Sequence, residues 1–454
     1  MRAPGDILLV ACYELGHQPL AVAWPAAFLE REGYRPAVLD VSVEPFDADK
    51  ARGARLLAIS VPMHTALRLG VAVAERVRAV NPACHIAFYG LYAALNAEYL
   101  LAHGADSVLA GEVEEPLVEL AQVLERGERA RPPRSHLGKL AFPAPSRAGL
   151  PSLKKYAHLD RDGRRGLAGY VEASRGCKHR CRHCPIPPIY GGRFFVVPQD
   201  VVLADIRQCV QAGATHVTFG DPDFLNGPGH ALAVTRALHA EFPGVTFDFT
   251  AKVEHLLKHR KRLPELRGLG CLFIVTAVES LSETVLANLD KGHTRADVVE
   301  VTRAVREAGI ALRPTWVPFT PWTTLDDYGE MLDFVEGEGL VDHVDPVQYS
   351  LRLLVPPGSL LVASAAMRPY LGELVPGAFC YRWTHPDPRM DRLQEAVAAL
   401  VEQAAEAGED AAVTLDRVRA LANAAAGAAP RASVAARLAP DRPRPPRLTE
   451  PWFC

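Results

Sequence analysis

Three cysteines, Cys177, Cys181 and Cys184, stand in C-x3-C-x2-C spacing within the run Gly176-Cys177-Lys178-His179-Arg180-Cys181-Arg182-His183-Cys184. Three thiolates on one short loop can hold three irons of a 4Fe-4S cluster and leave the fourth iron without a protein ligand. That open iron could serve as a Lewis acid toward a chelating ligand while the cluster donates an electron. The competing chemistry is a Cys3His zinc site completed by His179 or His183. Zinc sites usually bring paired Cys-x2-Cys hooks from two places, and here there is a single loop. The other six of the nine cysteines stand alone at 12, 84, 209, 271, 380 and 454, an odd total that is no disulfide framework and suits a reducing compartment. One cluster only is expected, with Cys209 and Cys271 as small buried core residues.

The elements that must position this loop follow from periodicity. Short apolar strands alternate with helical periods from Asp6 to Arg126: strands at 6–11, 35–40, 56–61 and 85–90, helices at 24–32, 66–80 and 115–124. Such alternation predicts a doubly wound parallel sheet over 1–126, with ligands at the carboxyl ends of its strands. Residues 127–166, rich in Arg, Pro and Gly, read as a linker packed on the surface. Over 167–355, strands near 169–173, 214–219, 245–250, 272–278, 311–317 and 344–351 predict six βα units, a partial (β/α)6 TIM-type barrel. The cysteine loop follows the first of these strands and so lies on the catalytic face of such a barrel. A helical region, with amphipathic helices at 394–406 and 414–426, is expected over 356–430, and then a Pro/Arg-rich tail over 431–454 that ends in Cys454.

The cysteine loop with the segments that follow it resembles the radical S-adenosylmethionine (SAM) superfamily, and the preceding domain resembles the cobalamin-binding domain that many members carry. The resemblance covers residues 5 to 350. It implies that Cys177, Cys181 and Cys184 ligate a 4Fe-4S cluster whose open iron chelates SAM, which is then cleaved reductively. It further implies that His183 stands beside the adenine, that Gly220 and Asp221 of Gly220-Asp221-Pro222-Asp223 meet the SAM amino group, and that Glu279 and Ser280 meet the ribose. Glycine admits close backbone approach, and a carboxylate accepts from ammonium or hydroxyl donors. The fifth strand departs from the family pattern, with Val317-Pro318-Phe319-Thr320-Pro321-Trp322 where a glycine-rich segment is usual.

In the first domain, the family's Asp-x-His-x-x-Gly loop for a histidine-ligated cobalamin is replaced by Cys12-Tyr13-Glu14-Leu15-Gly16-His17-Gln18-Pro19, and a single Gly90 stands where two adjacent glycines are common. Two readings stay open: cobalamin held without a histidine ligand, or a domain that has lost it. The final Cys454 resembles the tail of the radical SAM family with a terminal Cys-(Cys or selenocysteine)-Ala-Glu-Pro, which implies that the chain stops at a selenocysteine codon and makes Cys454 a candidate catalytic thiol.

A formal net charge of −3 argues against a nucleic-acid or anionic-membrane partner, and there is no apolar run long enough to cross a bilayer and no signal-peptide layout, so a cytoplasmic protein is expected. The implied partners are a small-molecule substrate and an electron donor such as flavodoxin or ferredoxin. The reaction stays open between methyl transfer, transfer of another SAM fragment and hydrogen abstraction. A non-catalytic iron-sulfur or zinc sensor of redox state or metal is the alternative from a different class.

Overall fold

The computed structural model describes residues 1–128 and 136–450. Five strands open the chain: β1 (Ile7–Ala11), β2 (Ala37–Asp40), β3 (Leu56–Ser60), β4 (His85–Tyr89) and β5 (Ser107–Leu109). They form one parallel sheet in the order β2-β1-β3-β4-β5. Strands such as Ile-Leu-Leu-Val-Ala are apolar at every position because both faces are covered. Leu8, Val10, Ile59 and Phe88 pack on one side with the helix His64–Val80. Ile7, Leu9, Ala58 and Ala87 pack on the other with the helices Leu20–Arg31 and Glu114–Glu125. The strand order reverses between β1 and β3, which is where a doubly wound sheet opens a crevice at its carboxyl end.

A second, curled sheet of seven strands has the order β13-β12-β11-β10-β7-β6-β16. Its parallel part is β7 (Arg164–Val171), β10 (His216–Phe219), β11 (Thr246–Thr250), β12 (Cys271–Glu279) and β13 (Ala311–Trp316). The sixth strand expected at 344–351 is instead a 3-10 turn, Pro346–Tyr349. Pro346 has no N–H for a ladder, so the chain turns there; it meets the barrel's edge strand through side chains, with Gln348 Oε1 accepting the Trp316 N–H at 3.0 Å and Asp345 pairing with Arg313, and through the isolated bridge Phe319 to Arg352. The opposite edge is extended by β6 (His158–Arg161), a strand within the segment that reads as linker, antiparallel to β7.

After the carboxyl end of β7, a two-stranded ribbon of β8 (Ser174–Gly176) and β9 (Phe194–Val196) brackets the cysteine loop. The C-terminal region holds the expected helices, at Pro388–Glu406 and Ala411–Ala426, and also a hairpin of β14 (Leu371–Val375) and β15 (Cys380–Trp383). The hairpin tip carries Phe379 into the first domain's core, edge-on to His64 and Tyr99. The tail returns as β16 (Arg447–Leu448) to pair with β6, and Leu448 packs against Leu159, Leu272 and Phe273. Cys454 lies outside the described residues.

Candidate functional site

The cysteine loop is held at the carboxyl end of β7 by specific backbone contacts. Gly176 has φ +74° at the ribbon's end, and a Cβ there would fall 2.5 Å from the Arg193 carbonyl oxygen, so only glycine closes the loop. The Lys178 N–H donates to Asn226 Oδ1 at 3.3 Å and its Nζ to the Asn226 carbonyl at 2.7 Å, while the Arg182 N–H donates to the Leu289 carbonyl at 2.9 Å. The loop is thereby stitched to segments that follow β10 and β12.

Cys177 and Cys181 are buried and Cys184 is half-buried. Burial first, and then the nearby Cys181 and Cys177, push the Cys184 thiol up to about 12 against the opposing Ile186 N–H and Lys291. Burial raises the Cys177 thiol as well, so these two ligands ionise readily only when a cation offsets their charge. They fit an iron cluster, which supplies that charge.

Glu279 stands at the end of β12, where the register with β13 shifts between Ala277 and Glu279. Its φ of +65° is unusual for a residue with a side chain, and it turns the carboxylate across the barrel mouth. Oε1 lies 3.1 Å from Lys291 Nζ and 3.3 Å from His183 Nε2. Burial alone would raise the carboxyl; Lys291 and His183 outweigh it and hold Glu279 well below the carboxylate range. Lys291, buried, feels Glu279 first and then Cys181 and Cys184, so its charge lies between the carboxylate and the cysteine loop. Ser280 Oγ accepts from the Ser282 N–H at 3.1 Å. His183, Glu279 and Ser280 are therefore brought to one side of the loop.

Gly220 and Asp221 end β10. A Cβ on Gly220 would lie 2.3 Å from Tyr170 Cζ, so this glycine is required by the close approach of the tyrosine ring. The Asp221 carboxylate accepts from the Ala173 N–H at 2.9 Å and the Ser174 hydroxyl at 2.5 Å, and burial raises it to about 7. It thus braces the two residues from which the cysteine ribbon departs.

Sequence reasoning did not single out Lys291 or His293. Burial and then Lys291 push His293 down to about 4, which keeps its ring neutral at physiological pH. Both follow the helix Glu283–Leu289 in Lys291-Gly292-His293, a turn with no motif of its own. A buried lysine is legible only once its partner is known.

In the first domain, His17 Nε2 lies 2.8 Å from Glu450 Oε1, and the ring stacks on Tyr170 at 4.4 Å. His64 is taken by the Ala378 carbonyl at 2.8 Å. Neither imidazole is presented as a free axial ligand for a cobalt ion. A Cβ on Gly90, φ +104°, would fall 3.1 Å from the Val61 backbone, so glycine lets the end of β4 lie close against β3's end. Beyond it, Tyr92 is buried. The first sheet meets the cysteine ribbon just after β5, where Arg175 pairs with Glu112 and Glu114 and the Tyr190 hydroxyl donates to Glu112 Oε1 at 2.9 Å.

Residues 171–335 match the radical SAM superfamily, and residues 7–121 match the B12 binding domain. Among curated relatives, ribosomal protein uS12 methylthiotransferase RimO of Porphyromonas gingivalis is 27% identical over 217 residues, 44% of this chain and 46% of that protein. A putative methylthiotransferase of Methanocaldococcus jannaschii is 22% identical over 209 residues, 42% of this chain and 44% of that protein. The chain thus spans less than half the length of these relatives. Among solved structures, the cobalamin-dependent SAM radical enzyme OxsB, with aqua-cobalamin and SAM bound, aligns with TM-score 0.68 at 15% identity, over 88% of this chain and 67% of that one. The radical SAM methyltransferase TsrM of Kitasatospora setae, with cobalamin and a [4Fe-4S] cluster bound, aligns with TM-score 0.59 at 17% identity, over 74% and 73%. The sheet order, the cysteine loop and the two matched segments agree: this chain carries a radical SAM domain joined to an N-terminal B12-binding domain.

Proposed function

We propose that this chain is a radical SAM enzyme that binds a 4Fe-4S cluster through Cys177, Cys181 and Cys184, cleaves SAM reductively, and uses cobalamin at the strand ends of its first domain to modify a small-molecule substrate. The observation that carries the reading is the contact between the two domains beside the cysteine loop: Arg175 of the ribbon pairs with Glu112 and Glu114, which follow β5 of the first sheet, and the Tyr190 hydroxyl donates to Glu112 Oε1 at 2.9 Å. When bound, the cluster supplies a Lewis-acidic iron and an electron, and cobalamin a transferable methyl group.

The chain's own residues then bind and orient. Glu279 meets both Lys291 and His183 through Oε1, so its other oxygen can accept from ribose hydroxyls. Lys291 keeps that carboxylate ionised within a buried site. Gly220 lets the backbone after β10 approach the SAM amino group, and Asp221 holds the base of the cysteine ribbon. His183 offers a flat ring beside Cys184. His17 is committed to Glu450 and Tyr170, so cobalamin is held without it. The electron comes from a flavodoxin- or ferredoxin-type donor. Among the described residues, no helix is long and apolar enough to cross a bilayer.

Anaerobic incubation of cluster-reconstituted protein with SAM and dithionite should yield 5'-deoxyadenosine or S-adenosylhomocysteine, and the Cys177→Ala/Cys181→Ala/Cys184→Ala variant should yield neither. Absence of these and of methylthioadenosine from the wild type leaves a redox or metal sensor as the function. Reconstitution with hydroxocobalamin and desalting should leave corrin absorbance on both the wild type and His17→Ala. No retained corrin removes methyl transfer.

A further inference from the structure

We infer that the chain has a second metal site, separate from the three cysteines, in which His179, Asp223 and His255 bind one divalent first-row transition-metal ion through two imidazoles and one carboxylate. The three residues come from different places: His179 from the cysteine loop, Asp223 from the loop after β10, and His255 from the helix Val253–Lys258 after β11. Their ligand atoms all lie within 4.8 Å of one another, and among the described residues no other group of histidines, cysteines and carboxylates meets that condition.

The geometry is that of a ligand set. Asp223 Oδ2 is 2.7 Å from His255 Nδ1 and 3.5 Å from His179 Nε2, and the two rings are 4.6 Å apart. An ion with bonds of about 2.0–2.1 Å and tetrahedral angles separates its ligands by about 3.4 Å, so a small outward shift of His255 accommodates one. Hydrogen bonding does not account for the arrangement. Asp223 is wholly buried, yet Oδ2 and the two nitrogens that face it are buried without a hydrogen bond of acceptable direction. The two contacts have ion-pair separations without hydrogen-bond direction, and a cation set between the three atoms would satisfy all of them at once.

The outer contacts also suit ligation. Asp223 Oδ1 accepts the Leu225 N–H at 3.1 Å, which fixes the carboxylate and leaves Oδ2 to point inward. His179 Nδ1 lies 3.7 Å from Glu254 Oε2, a carboxylate placed to orient the ring and its tautomer. Two imidazoles with one carboxylate select zinc, iron(II) or cobalt over magnesium or calcium, which prefer all-oxygen sets. Three protein ligands leave at least one position for water or another nitrogen or oxygen ligand. Because His179 lies between Cys177 and Cys181, the ion would also tie the cysteine loop to the barrel.

The test uses full-length protein with its cluster reconstituted, stripped of loosely held metal by a chelator and then equilibrated with Co2+ or Zn2+. Wild type should retain one equivalent per chain by mass spectrometry of metals. Asp223→Asn and His255→Gln should each weaken retention by more than about tenfold, since loss of even an outer-shell partner costs that much, while cluster iron stays at the wild-type level. Should a variant lose its cluster, the comparison moves to the Cys177→Ala/Cys181→Ala/Cys184→Ala background. That protein should bind Co2+ with visible ligand-field bands and no thiolate charge-transfer band, and adding His255→Gln should abolish them. The inference is overturned if wild type retains no second metal, if Asp223→Asn retains it equally, or if Co2+ binding disappears with the three cysteines. It does not depend on SAM cleavage, so failure of that reaction leaves the metal result unaffected.

Discussion

Replacing Lys291 by methionine removes the cation that keeps Glu279 ionised inside the barrel. Lys291 Nζ lies 3.1 Å from Glu279 Oε1, a separation at which unit charges attract by about 5 kcal/mol at an effective dielectric of about 20. Both groups are buried, and His183 at 3.3 Å offers the orphaned carboxylate only partial relief. Breaking one side of a buried pair costs about 3–5 kcal/mol. For a chain of 454 residues at about 2.1 cal/mol/K per residue, 4 kcal/mol corresponds to a fall in Tm of about 4 °C. The assay is anaerobic thermal unfolding of the cluster-loaded protein at one scan rate, for wild type, Lys291→Met, Glu279→Gln and the double variant. The double variant should regain more than half of the loss, because it contains no unpaired charge. The pH dependence has a definite sign. Glu279's depressed carboxyl contributes stability that is present above its unfolded pKa and lost as pH falls through the lower folded value. In Lys291→Met, burial raises the same carboxyl, so it protonates on mild acidification and the gap to wild type narrows. A shift below about 1 °C by the same conversion, or a double variant no more stable than the single one, refutes the assignment of this pair as the electrostatic anchor of the site.

Gly220→Ala should cost about 1–3 kcal/mol and weaken SAM binding, read by calorimetric titration, because its Cβ would meet Tyr170 Cζ at 2.3 Å. Gly176→Ala should lower the yield of reconstituted cluster, measured as iron per chain, since φ +74° and the Arg193 carbonyl both oppose a side chain. Glu14, raised by burial to about 8 and by Asp40 and Glu172 after it, should make wild type lose stability as pH rises from the carboxylate range through about 8. Glu14→Gln should flatten that slope in the same thermal assay. Arg175→Met should loosen the contact between the domains, seen as faster limited proteolysis, because it leaves the buried Glu112 and Glu114 and the half-buried Glu172 around one lost cation.

Much of the scaffold was legible because it rests on local patterns. The apolar strands of the first sheet, the helices after them and the first five barrel strands are each written as short runs with a period that a covered sheet imposes. The element that was misread, 344–351, has the composition of a strand but carries Pro346, and the β13 backbone is met there by the Gln348 side chain in place of a strand ladder. The edge strand β6 was hidden in a Pro/Arg-rich segment for the opposite reason. Its pairing with β7 is made by the turn at Asp162-Gly163, with φ +53° and +70°, and by the returning tail.

The cysteine spacing by itself determined that one loop could hold three irons, because ligands four and three residues apart need no help from the rest of the chain to converge. The amino-acid order also determined which strand that loop follows. Only the tertiary structure decided what surrounds it. Lys291 meets Glu279 across a turn, His17 is claimed by Glu450 from the far end of the chain, and Asp223 faces His179 and His255 from a neighbouring barrel unit. These contacts join residues up to 433 positions apart. Burial brings such charges together at low dielectric, where pairing matters most, and no local pattern records which distant partner a buried charge will find.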